Sequence, residues 1–210
     1  MKSVAIRLFL LVLSVILPVS LFVFIAHEIF WEKEVAFDTA VSSYMYLHPG
    51  PGFIPKAMTG LSFMASPYLL VPAYLMLIIR FGWLKRNAVL AIYILSAGLS
   101  GFFVTFLLKW LFQRVRPSNP SVPPPYDFSF PSGHSSAAFI FYGLLIYLLC
   151  RAAIPQNLKY PVIAILAHLS LLIGLSRVYL RVHFASDVLA GFCIGAAWLG
   201  LSLGIIYRIK

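Results

Sequence analysis

Between residues 109 and 187, His134, His183, Asp187 and several cations have a spacing that suits them to chemistry on an anion. Lys109 and Arg116 are separated by six residues, and Pro117 follows. Pro131-Ser132-Gly133-His134 comes next. A third group runs Ser176-Arg177, then His183, then Asp187. Lys109, Arg116 and Arg177 converging on one spot would repel each other unless an anion sat between them. Guanidinium groups bind phosphate oxygens in bidentate fashion, and a lysine adds a point charge. Ser132 and Gly133 are placed to open a helix, where free N–H groups and the positive dipole end favour phosphate. Gly133 also lets the backbone approach without a Cβ in the way.

His183 and Asp187 are four residues apart, so on a helical turn the carboxylate reaches one ring nitrogen. That sets the tautomer and leaves the other nitrogen free to attack phosphorus. His134 then serves as general acid to the departing alkoxide and afterwards activates water. No carboxylate cluster suited to Mg²⁺ or Zn²⁺ accompanies these residues, so no metal or cofactor is expected and fixed cations must do the electrostatic work. Taken singly, each residue has a plainer reading. Lys109 would be a snorkelling anchor, Pro-Ser-Gly-His a turn and helix cap, His183 a surface histidine. Arg114 and Arg181 divide evenly between headgroup contact and support of the site. His168 reads as a packed or hydrogen-bonded structural residue. Together, in order and on one side, the set points to a phosphate site.

The elements that must position these residues are membrane helices. The 210-residue chain is 61% hydrophobic and 10% charged, with a mean hydropathy of +0.94, and a soluble domain needs roughly a quarter charged residues. Six uncharged stretches are long enough to span, or nearly span, a ~30 Å bilayer core: Leu8–Ala26, Ala57–Ile79, Asn87–Leu108, Gly133–Cys150, Tyr160–Ser176 and Val188–Tyr207. Pro67 and Pro72 predict a kink or a late start in the second. The first, preceded by Lys2 and Arg7, exceeds the ~7–15 residues usual for a signal core and reads as an uncleaved anchor. The expectation is an all-α, polytopic bundle of six transmembrane helices forming a single domain. Cys150 and Cys193 read as buried small hydrophobes. The net charge of +10 is scattered singly or in pairs at span ends, where it meets phospholipid headgroups, which argues against nucleic acid.

Between the first two spans, Val35, Phe37, Ala40, Val41, Tyr44 and Met45 recur at helical spacing, with Asp38 and Ser42 on the other face. This predicts a short amphipathic helix in the interface, ended by Pro49-Gly50-Pro51-Gly52. Counting span by span, one side of the membrane receives nine basic residues and the other seven, and all six acids fall with the seven. Several of the seven belong to the motifs above, so the nine mark the cytoplasmic side, with both termini inside. All three motifs then share the opposite, outer face.

At these residues the chain resembles the type 2 phosphatidic acid phosphatase superfamily, whose signature K-x6-RP, PSGH and S-R-x5-H-x3-D it matches at every fixed position. The resemblance covers roughly residues 100 to 195 by motif and the whole chain by layout. It implies a helical bundle with its site at the outer leaflet, metal-independent hydrolysis and a phosphohistidine intermediate. By matching position, Lys109, Arg116 and Arg177 hold phosphate with Ser132 and Gly133 assisting, His134 is the general acid, His183 the nucleophile and Asp187 its orienting partner. Many relatives carry Gly where this chain has Arg181, and an extra cation there would help hold a diphosphate or a second anionic group. The family also contains soluble vanadate haloperoxidases, which the membrane composition argues against. The reading is therefore a phosphatase taking a membrane lipid phosphate laterally from the bilayer, its candidate substrates being undecaprenyl diphosphate, phosphatidylglycerophosphate, phosphatidic acid or a lipid A phosphate, which the sequence does not separate. A bacterial plasma membrane suits it. The competing class is a non-catalytic lipid-phosphate binder or transporter that kept the anion pocket. The oligomeric state is not legible.

Overall fold

A computed structural model of the chain describes residues 2–124 and 126–208, with side chains over 12–124 and 126–206. The side chains of Lys2, Arg7, Arg208 and Lys210, which entered the charge comparison, lie outside the described residues. Among the described residues the chain is helical throughout, with no strand. The helices are α1 (Lys2–Phe30), α2 (Ala36–Leu47), α3 (Phe53–Phe63), α4 (Pro67–Ile78, continued by a π-helical segment Ile79–Leu84), α5 (Ala88–Phe112), α6 (Gly133–Arg151), α7 (Gln156–Tyr179) and α8 (Ala185–Arg208). Six of these are long and apolar enough to cross a bilayer: α1, α4 with its π segment, and α5 to α8. The protein is a membrane-embedded bundle with the short helix α2 between its first two spans.

The second span starts late. Ser66 is extended (φ −73°, ψ 153°) because the ring of Pro67 disfavours a helical residue before it, while Pro67 itself is well suited to a first helical position. The stretch expected to run from Ala57 is therefore divided, and α3 is a separate helix. Tyr142 on α6 donates a 2.9 Å hydrogen bond to the Met64 carbonyl and pins the break.

Helix α6 packs against α5, α7 and α8, while α1 lies along α8. The segment leading into α6 is anchored by Phe130, which is fully buried among Phe22 and Phe30 of α1 and Phe112 of α5, with ring centroids 5.1–5.6 Å apart. Gly191 of α8 matters at one contact: a Cβ there would lie 2.5 Å from the Ser132 carbonyl oxygen. Only glycine lets α8 press against the start of α6.

Two expectations are corrected. The face of α2 carrying Asp38 turns inward: Asp38 is buried, Val41 and Met45 pack against Val178, Ala185 and Val188, and Phe37 and Tyr44 are exposed. Burial of that carboxylate is tolerated because it has partners, described below. Cys193 is buried, but Cys150 is exposed at the end of α6.

Candidate active site

The three motifs meet at one end of the bundle because helix ends bring them there. Helix α5 finishes at Phe112, and Gln113 follows in the left-handed region (φ 48°), its N–H donating to the Lys109 carbonyl at 2.9 Å. The chain thus turns sharply, carrying Arg114 and Arg116 back across the bundle end. Helix α6 begins at Gly133, capped by the Ser132 hydroxyl, which accepts from Ser135 N at 3.4 Å and from Ser135 Oγ at 2.9 Å. Helix α7 ends at Tyr179. The next residues fold onto its C-terminus, and the Arg177 carbonyl accepts from Val182 N at 3.2 Å and His183 N at 3.3 Å. Helix α8 then starts at Ala185 with Asp187 in its first turn. The Ser132 N–H donates to the Asp187 carbonyl at 2.9 Å, which ties the second motif to the third.

His183 is buried and flanked by a different partner at each nitrogen. Nδ1 lies 3.4 Å from Asp187 Oδ2, and Nε2 lies 3.2 Å from an Arg116 terminal nitrogen. A guanidinium can only donate, so Nε2 carries the lone pair and Nδ1 the proton. Asp187 is fully buried. Its Oδ2 also accepts from the Phe184 amide at 2.9 Å and from the Ser129 hydroxyl, and its Oδ1 accepts from Arg114 at 2.6 Å. Burial pushes His183 down to about 4, against the pull of Asp187 and with the help of Arg116 and Lys109. The ring is therefore neutral at physiological pH, the form a nucleophile needs.

On the other side of His183 lies a cradle of cations. Lys109, with 5% of its surface exposed, reaches Asp127 Oδ2 at 3.2 Å and also donates to the Phe128 carbonyl. Arg116 reaches Asp127 Oδ1 at 2.5 Å and donates to the Val182 carbonyl at 2.7 Å. Burial would raise the Asp127 carboxyl, but Lys109 and Arg116 outweigh it and hold it below its usual range. Arg177, 4% exposed, donates one terminal N–H to the Ser62 hydroxyl of α3, while its Nε is buried without a hydrogen-bond partner among the described residues. His134 is half-buried in the first turn of α6, within electrostatic reach of Arg177, His183, Arg116 and Lys109. Gly133 faces the same cations: a Cβ on it would stand 3.8 Å from the Lys109 Cε.

Lys109, Arg116, Arg177, His134, His183 and Asp187 thus come together, with Gly133 at their edge. The Ser132 hydroxyl is engaged in capping α6. Arg114 is turned away from the cradle, onto the far side of Asp187. Arg181 (φ 56°) points to Ser121 Oγ, at 3.2 and 3.0 Å, and stacks over Tyr46 at 5.4 Å. His168 is exposed on α7, its Nδ1 2.8 Å from the Ala164 carbonyl. Asp38, Ser62, Asp127 and Ser129 join the site without having been singled out by motif. Only Asp127 left a signal, as an acid in the loop between the first two motifs. Among the described residues no group of three or more His, Cys, Asp or Glu is arranged to hold a metal ion. An apolar groove of about 630 Å³ runs along α1 and α8, ending on Asp38 and Ser186 behind the site.

The sequence model of the PAP2 superfamily matches residues 89–210, which contain all three motifs. The chain belongs to that superfamily. It is 31% identical over 197 residues to phosphatidylglycerophosphatase B of Bacillus subtilis (strain 168), covering 92% of this chain and 96% of that protein. Its fold is similar to the crystal structure of a transmembrane PAP2-type phosphatidylglycerolphosphate phosphatase from Bacillus subtilis, with a TM-score of 0.82, 30% identity and coverage of 92% and 97%. Aquifex aeolicus LpxE shares the fold alone, with a TM-score of 0.62, 24% identity and coverage of 79% and 94%. The chain is a membrane-embedded PAP2 phosphatase.

Proposed function

We propose that this phosphatase removes a terminal phosphate from a membrane lipid through a phosphohistidine at His183, with phosphatidylglycerophosphate first among its substrates. The observation that carries the mechanism is the set of buried cations around His183, with Arg177 Nε unpaired among the described residues and Asp127 standing where an anion is needed. An incoming phosphate exchanges with the Asp127 carboxylate, which is 41% exposed and free to leave. Lys109, Arg116 and Arg177 then hold its oxygens and stabilise the charge that develops in the transition state. The lone pair on His183 Nε2 forms an N–P bond as the bond from phosphorus to the lipid oxygen breaks. Protonated His134 gives its proton to that oxygen. A water molecule then loses a proton to His134 and attacks phosphorus. The N–P bond breaks with its electron pair returning to Nε2, and inorganic phosphate leaves. Fixed cations supply the electrostatics throughout, so turnover should survive chelators.

The substrate reading rests on the relatives named for phosphatidylglycerophosphate. Turnover of that lipid, phosphatidic acid, undecaprenyl diphosphate and a lipid A phosphate by the purified protein in detergent tests it. The expected order has phosphatidylglycerophosphate first, and a preference for another of the four would replace it. Turnover by His183→Ala would sink the nucleophile assignment. The charge distribution supports an outward site in a bacterial plasma membrane with cytoplasmic termini. Cys150 lies at the opposite end of the bundle from the site, and Tyr126 is fully exposed near it. A membrane-impermeant maleimide applied to intact cells should label Tyr126→Cys and spare Cys150, and the reverse pattern would invert the orientation.

A further inference from the structure

Behind Asp187 sits a second buried ion cluster that the phosphate chemistry does not use. Arg114 donates to Asp187 Oδ1 at 2.6 Å, to Asp38 Oδ2 at 2.7 Å and to Ser186 Oγ at 2.8 Å, and the Phe184 ring covers its guanidinium at 4.3 Å. Asp38 is 3% exposed and accepts from the Ser186 amide at 2.9 Å and from the Ser186 hydroxyl at 2.5 Å. Asp38 belongs to α2, outside the 89–210 stretch that matches the family.

The charges decide what this arrangement does. Arg114 with Asp187 alone is a neutral pair, and a neutral pair gives little to a ring that becomes positive. His183 gains that positive charge when its Nε2 bonds to phosphorus. Adding Asp38 gives one cation and two carboxylates, a net charge of −1 beside the ring. Asp38 thus answers the Arg114 charge from the far side and leaves that of Asp187 for His183. In a buried setting such charges are weakly screened. Its bonds to both polar groups of Ser186 also hold the first turn of α8, on which Asp187 is mounted.

We propose that Asp38 is a positioning residue for the reaction, acting through Arg114 on Asp187 and so on the phosphorylation of His183. The proposal rests on His183 being the nucleophile. It makes the interfacial helix a functional part of the site, joined to its charges through one carboxylate.

Asp38→Asn removes the charge at nearly constant volume. In purified protein in detergent, kcat should fall about tenfold or more while KM for a lipid phosphate stays within about twofold, as for loss of an orienting partner. The loss should appear in the rate of phosphoenzyme formation, not in its hydrolysis. In an Asp187→Asn background the same substitution should change the residual kcat by less than about twofold, because its route of action is already cut. Asp38→Glu keeps the charge and should recover most of kcat. A kcat within about twofold of the parent for Asp38→Asn overturns the proposal. So does an equal loss in both backgrounds, which would mark a purely structural tie between α2 and α8. If Asp38→Asn does not fold, Asp38→Ser, which also removes the charge but keeps a hydroxyl acceptor, takes its place in both comparisons. Turnover by His183→Ala would instead condemn the nucleophile assignment, and that result is separate from either outcome for Asp38.

Discussion

Arg114 and Arg116 stand two residues apart in one loop and end on opposite sides of the same imidazole. Arg114 binds two buried carboxylates, Asp38 and Asp187, at 2.7 and 2.6 Å. Arg116 binds Asp127, which is 41% exposed, and touches His183 Nε2. The two side chains are equally buried, at 11% exposure each, so the difference lies in their partners. A carboxylate sealed among fixed donors stays where it is. One that faces solvent exchanges with a competing anion. On the function proposed above, the Nδ1 side of His183 is therefore a permanent frame, and the Nε2 side a binding surface that holds a stand-in until phosphate arrives.

Removing each arginine should break this contrast in different ways, and these are the largest effects expected. Arg114→Ala leaves two buried carboxylates without their shared cation, and losing one partner of a buried ion cluster costs about 3–5 kcal/mol. It should lower the thermal midpoint in detergent and the yield of folded protein. Arg116→Ala leaves only a half-exposed acid unpaired but removes a donor to the transition state, for which ~10²–10³-fold in kcat is typical. Its thermal midpoint should stay close to the parent's. If the two variants lose stability to the same degree, the distinction between frame and binding surface is wrong.

The acidity of His183 sharpens the same contrast. The ring is held down to about 4 by burial, with Arg116 and Lys109 acting in the same direction and Asp187 opposing them. The proposed nucleophile is the neutral ring, so activity should be present above this value and lost as pH falls through it. The acid limb of kcat/KM should lie near pH 4 and not near the ordinary histidine value of ~6.5. Arg116→Ala removes a charge that disfavours the imidazolium, so the limb should move up. Asp38→Asn weakens the negative field behind Asp187, so it should move down. A limb near 6.5 in the parent would mean that His183 is not buried as described.

The frame was the less legible half. Lys109, Arg116, Arg177, His134, His183 and Asp187 sit in local patterns whose spacing is tied to helix ends, so their order along the chain already implies their meeting. The six spans and the late start at Pro67 follow from hydropathy and proline geometry. Asp38 gave no such sign: it meets Arg114 across 76 residues, and an acid among apolar neighbours ordinarily marks the solvent side of an amphipathic helix. Ser62 reaches Arg177 across 115 residues, from a segment whose hydropathy read as the interior of a span. Periodicity reports how apolar a face is, and it cannot report that a distant cation will neutralise a polar residue on the buried face.

Asp127 should give the smallest effect, and its sign matters more than its size. If the carboxylate is a stand-in for phosphate, it competes with every anion that enters the cradle. Its charge persists at neutral pH because Lys109 and Arg116 hold its carboxyl below the usual range despite partial burial. Asp127→Asn removes the competitor while keeping the shape, so inorganic phosphate should inhibit more strongly. Half-exposed pairs are worth ~0.2–1 kcal/mol, which corresponds to about a one-and-a-half- to fivefold lower inhibition constant. KM for a lipid phosphate should fall in parallel. A carboxylate that instead braced Lys109 and Arg116 in position would show the opposite sign, with both constants rising and kcat falling. The binding side of the site would then be as permanent as the frame behind Asp187, and the contrast between the two arginines would vanish.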